Sequence, residues 1–297
     1  MTTELGRTPS GHHHARNNVA AASIERYSAD WTLGMYLHAE WADVLTPDRE
    51  HLPTPGAADR PHDLPAELAR TSTFYRDVAG LVATWSEQEE LTVRALCDVG
   101  AGTGRTVYEL AARLPQQPAF TLVEPSRRFA GWARRLLGGV EPGLELPVPA
   151  GAGEPRTVRT TGGTRALAAS AEILATHADD VAASGRTFDV VTSLNVLDRV
   201  PDPRALIRSV ARLVRPGGLL VVASPLDFEP DYTPRERWVD DVRALLDGLD
   251  AEVVASVDVP YTFLQHSRRF TWFLSQVVCV RPAASGPVPH ARGGALN

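Results

Sequence analysis

None of the chain's 297 residues is lysine; all thirty basic side chains are arginines. That removes lysine Schiff-base chemistry and the lysine a P-loop lays on nucleotide phosphates. Cysteine is nearly as scarce: Cys97 and Cys279 are alone, each inside an apolar segment and neither in a C-x-x-C pair. They read as small buried hydrophobes, which excludes a disulfide framework or a cysteine-based zinc or redox motif, and no metal site is expected. No run approaches the ~18–20 uninterrupted apolar residues of a membrane span, and the first residues are polar and histidine-rich where a signal peptide would be apolar. A formal net charge of -6 lacks the cationic field that a general nucleic-acid or anionic-membrane surface requires. These absences predict a soluble cytoplasmic protein with neither nucleic acid nor membrane as a partner.

What is present is organised around alternating strand and helix signals. Residues 1–22, with His12-His13-His14, are polar and aperiodic; they and 282–297 are expected to be disordered tails. From Ser23 to Leu45, Tyr27, Trp31, Met35, Tyr36 and Trp41 recur at three- and four-residue spacings, the pattern of one or two amphipathic helices. Pro47, Pro53, Pro55, Pro61 and Pro65 make 46–65 a linker or lid loop. Leu68, Phe74, Val78, Leu81, Val82 and Trp85 give a helical stripe over about 66–90. Residues 23–90 thus read as a helical cap on a domain spanning 91–281.

Within that domain, strands are expected at 95–99, 119–123, 188–194, 219–223, 251–259 and 272–280, with helices at about 104–114, 126–137, 203–214 and 235–249. Gly and Pro recur through 138–163, which reads as an insertion. The third strand is placed at Arg156 to Thr160 and the third helix within Thr164 to Ala183. Such alternation predicts an α/β, doubly wound sheet whose ligand site lies beyond the carboxyl ends of its strands.

The segment Asp98-Val-Gly-Ala-Gly-Thr-Gly104 falls at that edge, between a strand and a helix. Gly100, Gly102 and Gly104 let the backbone approach a ligand closely, and the following helix offers free N–H donors. Dinucleotide and flavin enzymes use glycine-rich turns as well. Glu124 ends the second strand twenty residues after Gly104. A carboxylate there can accept both hydroxyls of a ribose, a device shared by NAD enzymes and methyltransferases.

The pattern Asp98-x-Gly100-x-Gly102-x-Gly104 resembles the D/E-x-G-x-G-x-G signature of the class I S-adenosylmethionine-dependent methyltransferases, whereas dinucleotide folds more often show G-x-G-x-x-G. Thr187-Phe-Asp-Val-Val-Thr-Ser-Leu-Asn-Val-Leu-Asp198, Val200-Pro-Asp-Pro203 and Leu213-Val-Arg-Pro-Gly-Gly-Leu-Leu220 are similar to that superfamily's later motifs in order and spacing. The resemblance covers about Arg94 to Val280. It implies a seven-stranded Rossmann-like sheet whose last strand is antiparallel, with S-adenosyl-L-methionine as cofactor and S-adenosyl-L-homocysteine as product. It assigns cofactor contacts to Asp98, Gly100, Ala101, Gly102, Gly104, Glu124, Pro125, Leu194 and Asn195, and to Thr161 as the adenine neighbour where strand three should end.

A finer resemblance concerns Leu194-Asn-Val-Leu-Asp-Arg199, which looks like the L-N-x-L-D-R motif of the protein-histidine N-pros methyltransferases; Pro260-Tyr261 also fits that family's pattern. It implies acceptor-site roles for Asn195, Asp198 and Tyr261, and a peptide or protein substrate methylated on a histidine ring or free amine, as in the tailoring of a peptide natural product. Asp198 would hydrogen-bond the acceptor's N–H, and Tyr36, Trp31 and Trp41 would help wall its pocket. The alternatives are a small-molecule O- or N-methyltransferase of secondary metabolism, a cofactor-binding scaffold or sensor without turnover, and an NAD-dependent oxidoreductase. A peptide calls for an open groove bordered by carboxylates, a small metabolite for an enclosed apolar pocket.

Overall fold

The computed structural model of the protein describes residues 30–47, 73–149, 155–167, 169–266 and 269–283. The tails expected at 1–22 and 282–297, with His12-His13-His14, and most of the proline-rich stretch lie outside the described residues, save 46–47 and 282–283. In chain order the elements are α1 (Asp30–Leu45), α2 (Phe74–Gln88), β1 (Ala95–Val99), α3 (Arg105–Arg113), β2 (Ala119–Val123), α4 (Arg127–Leu137), β3 (Glu145–Pro149), β4 (Pro155–Arg159), β5 (Ala171–Leu174), α5 (Ala178–Ala183), β6 (Phe188–Leu194), α6 (Pro203–Arg212), β7 (Val214–Ser224), β8 (Ala251–His266) and β9 (Arg269–Pro282).

Seven strands form one sheet in the order β5-β2-β1-β6-β7-β9-β8. The first five run parallel, and β9 is antiparallel to both of its neighbours, the arrangement a closing hairpin imposes. Every residue of β6 is buried, as expected of a central strand covered on both faces. Strand alternation divides the core between the faces: Leu96, Val190 and Val221 pack with the α1–α2 side, Cys97, Val191 and Val222 with the α5–α6 side. Among the described residues no helix is long and apolar enough to cross a membrane.

Helix starts follow from their caps. Asp202 accepts a hydrogen bond from the N–H of Ala205 at 2.9 Å and Pro203 opens α6, so the chain turns into the helix where φ is already set. Ile207 and Val210 of that helix are buried against the sheet.

Three expectations need correction. The third strand of the sheet is β5, not Arg156 to Thr160: Phe120 donates to the carbonyl of Ser170 and Glu124 to that of Leu174, giving β2 its parallel outer partner. As an edge strand half open to solvent, β5 lacks the apolar run that marks its neighbours, and the helix expected over 164–183 contracts to α5. The helix expected at 235–249 is two 3-10 turns, Arg235–Arg237 and Val242–Leu246; Asp241 caps the second by accepting from Arg243 N–H at 2.8 Å. Finally, the strand expected at 219–223 begins as β7 at Val214 and carries a register shift before Leu219, so Arg215 to Gly218 bulge.

The 138–163 insertion has a structural task. Strands β3 and β4 pair antiparallel, and Leu146, Val148 and Val158 are buried in the same core as Leu33, Leu37 and Leu45 of α1. The helix lies close enough that a Cβ at Gly34 would stand 3.4 Å from the carbonyl oxygen of Pro147. At its end, the N–H groups of Thr161 and Gly162 both donate to Leu45 O, at 3.0 and 2.9 Å, satisfying a carbonyl that a helix terminus leaves open. The insertion therefore holds α1 over the sheet.

Candidate active site

The strand-to-helix turn after β1 is left-handed at Gly100, Gly102 and Gly104, with φ of 72°, 55° and 90°. Two of these glycines also answer to close neighbours: a Cβ at Gly100 would stand 2.3 Å from a Val196 methyl, and one at Gly102 2.8 Å from Glu40 Oε1. The same turn forms one wall of a cavity of about 220 Å³. Gly100, Ala101, Gly102 and Thr106 form that wall; Glu124, Pro125, Ser126 and His177 continue it towards the β5 edge, and Leu194, Asn195 and Val196 close it at the end of β6.

Glu124 is aimed by the backbone of its neighbours. Its Oε2 accepts from Gly102 N–H at 3.0 Å and its Oε1 from Ser126 N–H at 2.8 Å, so the carboxylate stands fixed between β2 and the glycine turn. Burial pushes its pKa up to about 7 although both hydrogen bonds pull it down. Asp98 lies beneath the turn, 1% exposed, and accepts from Thr192 Oγ1 at 2.6 Å; burial raises it to about 6. Asn195 adopts a left-handed φ of 56°, a conformation its short amide tolerates. The residue lines the cavity, and its Nδ2 and Oδ1 are both buried and without a partner among the described residues. An amide orphaned in this way calls for a ligand.

The roof comes from the cap. Helix α1 brings Tyr36 and Glu40 to the cavity and α2 brings Tyr75, with Phe129 of α4 beside Tyr36 at a ring-centroid distance of 5.5 Å. Glu40 is 3% exposed, and burial lifts its pKa to about 8. Thr103 in the glycine turn donates to Glu40 Oε2 through its hydroxyl and, at 3.2 Å, its N–H, while the Trp41 indole donates to Thr103 Oγ1 at 2.6 Å. Arg105, next along, pairs with Asp43 of α1 at 2.6 Å and with Glu109 at 2.5 Å, and also reaches the Glu40 carbonyl. Cap and turn are thus one hydrogen-bonded unit.

Of the residues singled out in the sequence, Gly100, Ala101, Gly102, Glu124, Pro125, Leu194 and Asn195 come together on the cavity wall, as does Tyr36; Asp98 and Gly104 support it from outside. Thr161 does not join them, since strand three ends elsewhere and Thr161 caps α1. Asp198 lies outside the lining, 1% exposed, with Arg199 at 3.0 Å and Ser224 Oγ at 3.3 Å, and Arg199 occupies the wall instead. Tyr261 is 5% exposed behind Tyr75, centroids 6.2 Å apart, and Trp41 is fully buried on Thr103. Missed altogether were Glu40, Tyr75, Phe129 and His177. Glu40 had a signal: it is an acid on the stripe of Leu33 and Leu37, where an apolar residue belongs.

The methyltransferase-domain family matches residues 57–271 of this chain. The chain belongs to that family, with the fold of the class I S-adenosylmethionine-dependent methyltransferases. Short stretches are similar to ubiquinone biosynthesis O-methyltransferases: 43% identity over 49 residues with that of Parvibaculum lavamentivorans, covering 16% of this chain and 19% of the relative, and 50% over 46 residues with that of Vibrio parahaemolyticus, covering 16% and 20%. The chain thus spans about a fifth of the length of these curated relatives. Among solved structures, the N-methyltransferase NodS from Bradyrhizobium japonicum, in complex with S-adenosyl-L-homocysteine, is similar with a TM-score of 0.47 at 16% identity, covering 75% of this chain and 93% of that one. The cofactor of the class, S-adenosylmethionine, suits the residues present: an orphaned amide at Asn195, a fixed carboxylate at Glu124 and the glycine turn at Gly100 to Gly102.

Proposed function

We propose that the protein transfers the methyl group of S-adenosylmethionine to a small-molecule acceptor held in the aromatic half of the cavity. The observation that carries this reading is the roofed, mainly apolar lining beside the glycine turn, where Tyr36, Tyr75, Phe129, Val196, Val200 and Pro201 adjoin the residues suited to the cofactor. A cavity roofed by a buried helix suits a compact metabolite better than a chain end. The partial similarity to O-methyltransferases of a small molecule points the same way. The peptide and histidine substrate expected from the L-N-x-L-D-R motif loses its main support, because Asp198 does not line the cavity.

When bound, the cofactor supplies an activated methyl group on a sulfonium, which an acceptor displaces in line. The protein's part is positioning. Glu124 would take the ribose hydroxyls, its oxygens already oriented by Gly102 and Ser126; the Asn195 amide would pin the polar groups that pass the end of β6; the aromatic roof would exclude water and hold the acceptor in near-attack geometry. Transfer of a labelled methyl group should be measured against a panel of phenolic metabolites, small amines and histidine-containing peptides. Turnover confined to small molecules is expected. Transfer to peptides alone would overturn the acceptor class, and no transfer to any acceptor despite cofactor binding would favour a scaffold.

A further inference from the structure

We propose that Glu40 is the anion facing the positively charged sulfur of bound S-adenosylmethionine, so that the cap helix distinguishes the methyl donor from its neutral-sulfur product. The inference rests on the reading above that the cavity holds this cofactor. Glu40 lines the cavity, yet no arginine is spent on its carboxylate: Arg105 directs its guanidinium to Asp43, to Glu109 and to the main-chain carbonyl of Glu40. Its Oε2 is held by Thr103, whereas Oε1, over Gly102, accepts no hydrogen bond among the described residues. Arg105 acts on this carboxyl only at a distance, with no direct ion pair among the described residues; a buried carboxylate so weakly compensated is costly, and here the cost is kept at the ligand's side of the turn.

Position singles out the sulfur from the ligand's other cation. Glu124, the ribose-side carboxylate, bonds Gly102 N–H, and Glu40 stands over that same residue. In S-adenosylmethionine the sulfur is bonded directly to the ribose 5′ carbon, while the ammonium lies beyond two methylenes and the α-carbon. A carboxylate beside the ribose-holding residue therefore meets the sulfur first. The other ionisable groups near the roof do not replace it: burial holds the Tyr75 and Tyr261 hydroxyls neutral, Glu124 repels it, Arg105 is bonded to Asp43 and Glu109, and Arg199 is occupied by Asp198, Asp227 and Glu229.

Charge at sulfur is greatest in the ground state and fades as the methyl leaves, so Glu40 would favour donor binding and product release rather than the chemical step. The experiment is calorimetric titration of the full chain, wild type and Glu40→Gln, with S-adenosylmethionine and with S-adenosylhomocysteine. Glu40→Gln should weaken the methyl donor by about tenfold while the product shifts by less than about twofold. Glu40→Asp, which keeps the charge but withdraws it, should lose affinity for the donor to an intermediate degree. In buffers of different ionisation enthalpy, wild type should release more protons on binding donor than product, a difference absent in Glu40→Gln. Equal weakening of both ligands, or weakening of neither, would overturn the role of Glu40. A wild-type chain that binds neither ligand would instead refute the cofactor reading.

Discussion

The two walls of the cavity are held by different kinds of interaction. The sheet-edge wall is local: Gly100 to Gly102 and Glu124 are fixed by turns and backbone hydrogen bonds within about one crossover of each other. The cap wall is assembled across the chain, by Trp41 to Thr103, Glu40 to Thr103 and Asp43 to Arg105, over sequence separations of 62 to 63 residues. The first wall is therefore carried by a motif, and the second exists only once α1 has docked. Disturbing the second should affect folding and binding together, whereas disturbing the first should affect binding more than folding.

The strongest test is Arg105→Met. Removing a guanidinium that is 2% exposed takes the buried cation from between Asp43 and Glu109, leaving them only the more exposed Arg76 and Arg113, and strips the Glu40 carbonyl of its donor; breaking a buried pair from one side costs up to about 3–5 kcal/mol. Denaturant unfolding should show that loss, against less than about 1 kcal/mol for Arg76→Ala, whose partly exposed pair with Asp43 is on the surface. Equal costs for the two would mean that the cap is not held through Arg105. Gly100→Ala should show the opposite pattern. Its Cβ would meet Val196 in a left-handed backbone, so cofactor affinity should fall by about a hundredfold, roughly 3 kcal/mol, with a smaller change in stability.

Gly162→Ala probes the insertion. A Cβ there would stand 2.1 Å from Val44 O, backbone against backbone, and relieving it must move the end of α1. A stability loss of about 1–3 kcal/mol is expected, together with weaker cofactor binding through the displaced roof. Unchanged binding would separate the insertion from the site.

That insertion also marks where the sequence stopped being readable. The glycine turn and Glu124 were legible from local reasons, three glycines between strand and helix and an acid at a strand end, and Asn195 from the motif it shares with a known family; the left-handed φ of Asn195 was not. β5 was not, since a four-residue edge strand with exposed or half-buried positions carries no apolar signature, and displacing it moved Thr161 from an expected adenine neighbour to a helix cap. Tyr75 escaped because nothing near it in sequence says which residues of a capping helix meet a cavity, and the one signal at Glu40, an acid on the stripe of Leu33 and Leu37, went unread.

Titration should separate the walls again, with the protons of Asp98 and Glu124 on one and that of Glu40 on the other. All three carboxyls are raised by burial, to about 6, 7 and 8. A raised folded-state pKa means that the folded protein keeps a proton the unfolded chain has lost, so the stabilisation is complete below about pH 4 and is lost as pH rises through the folded values. Without ligand, stability should decline from about pH 4 to 8, by roughly 1 kcal/mol per unit for each group then titrating. Unfolding curves across that range would check it. Glu40→Gln should flatten the upper end, near pH 7 to 8, and Glu124→Gln the middle.

The smallest effect is expected from Asp198→Asn, which asks whether the L-N-x-L-D-R motif serves the acceptor or the wall. Asp198 is buried beside Arg199, and burial raises its pKa while that guanidinium pulls it down. The amide keeps its volume, and Arg199 retains Asp227 at 3.1 Å and Glu229 at 3.5 Å together with its contact over the Tyr232 ring, so the cavity lining should stay in place. Cofactor affinity and kcat/KM for a small-molecule acceptor should each change by less than about threefold, within roughly 0.6 kcal/mol. Arg199→Met, which removes the side chain that does line the cavity, should raise KM more than it lowers kcat. A loss in kcat of a hundredfold in Asp198→Asn with binding intact would place Asp198 at the acceptor, and the boundary between wall and site would then have to be redrawn behind Arg199.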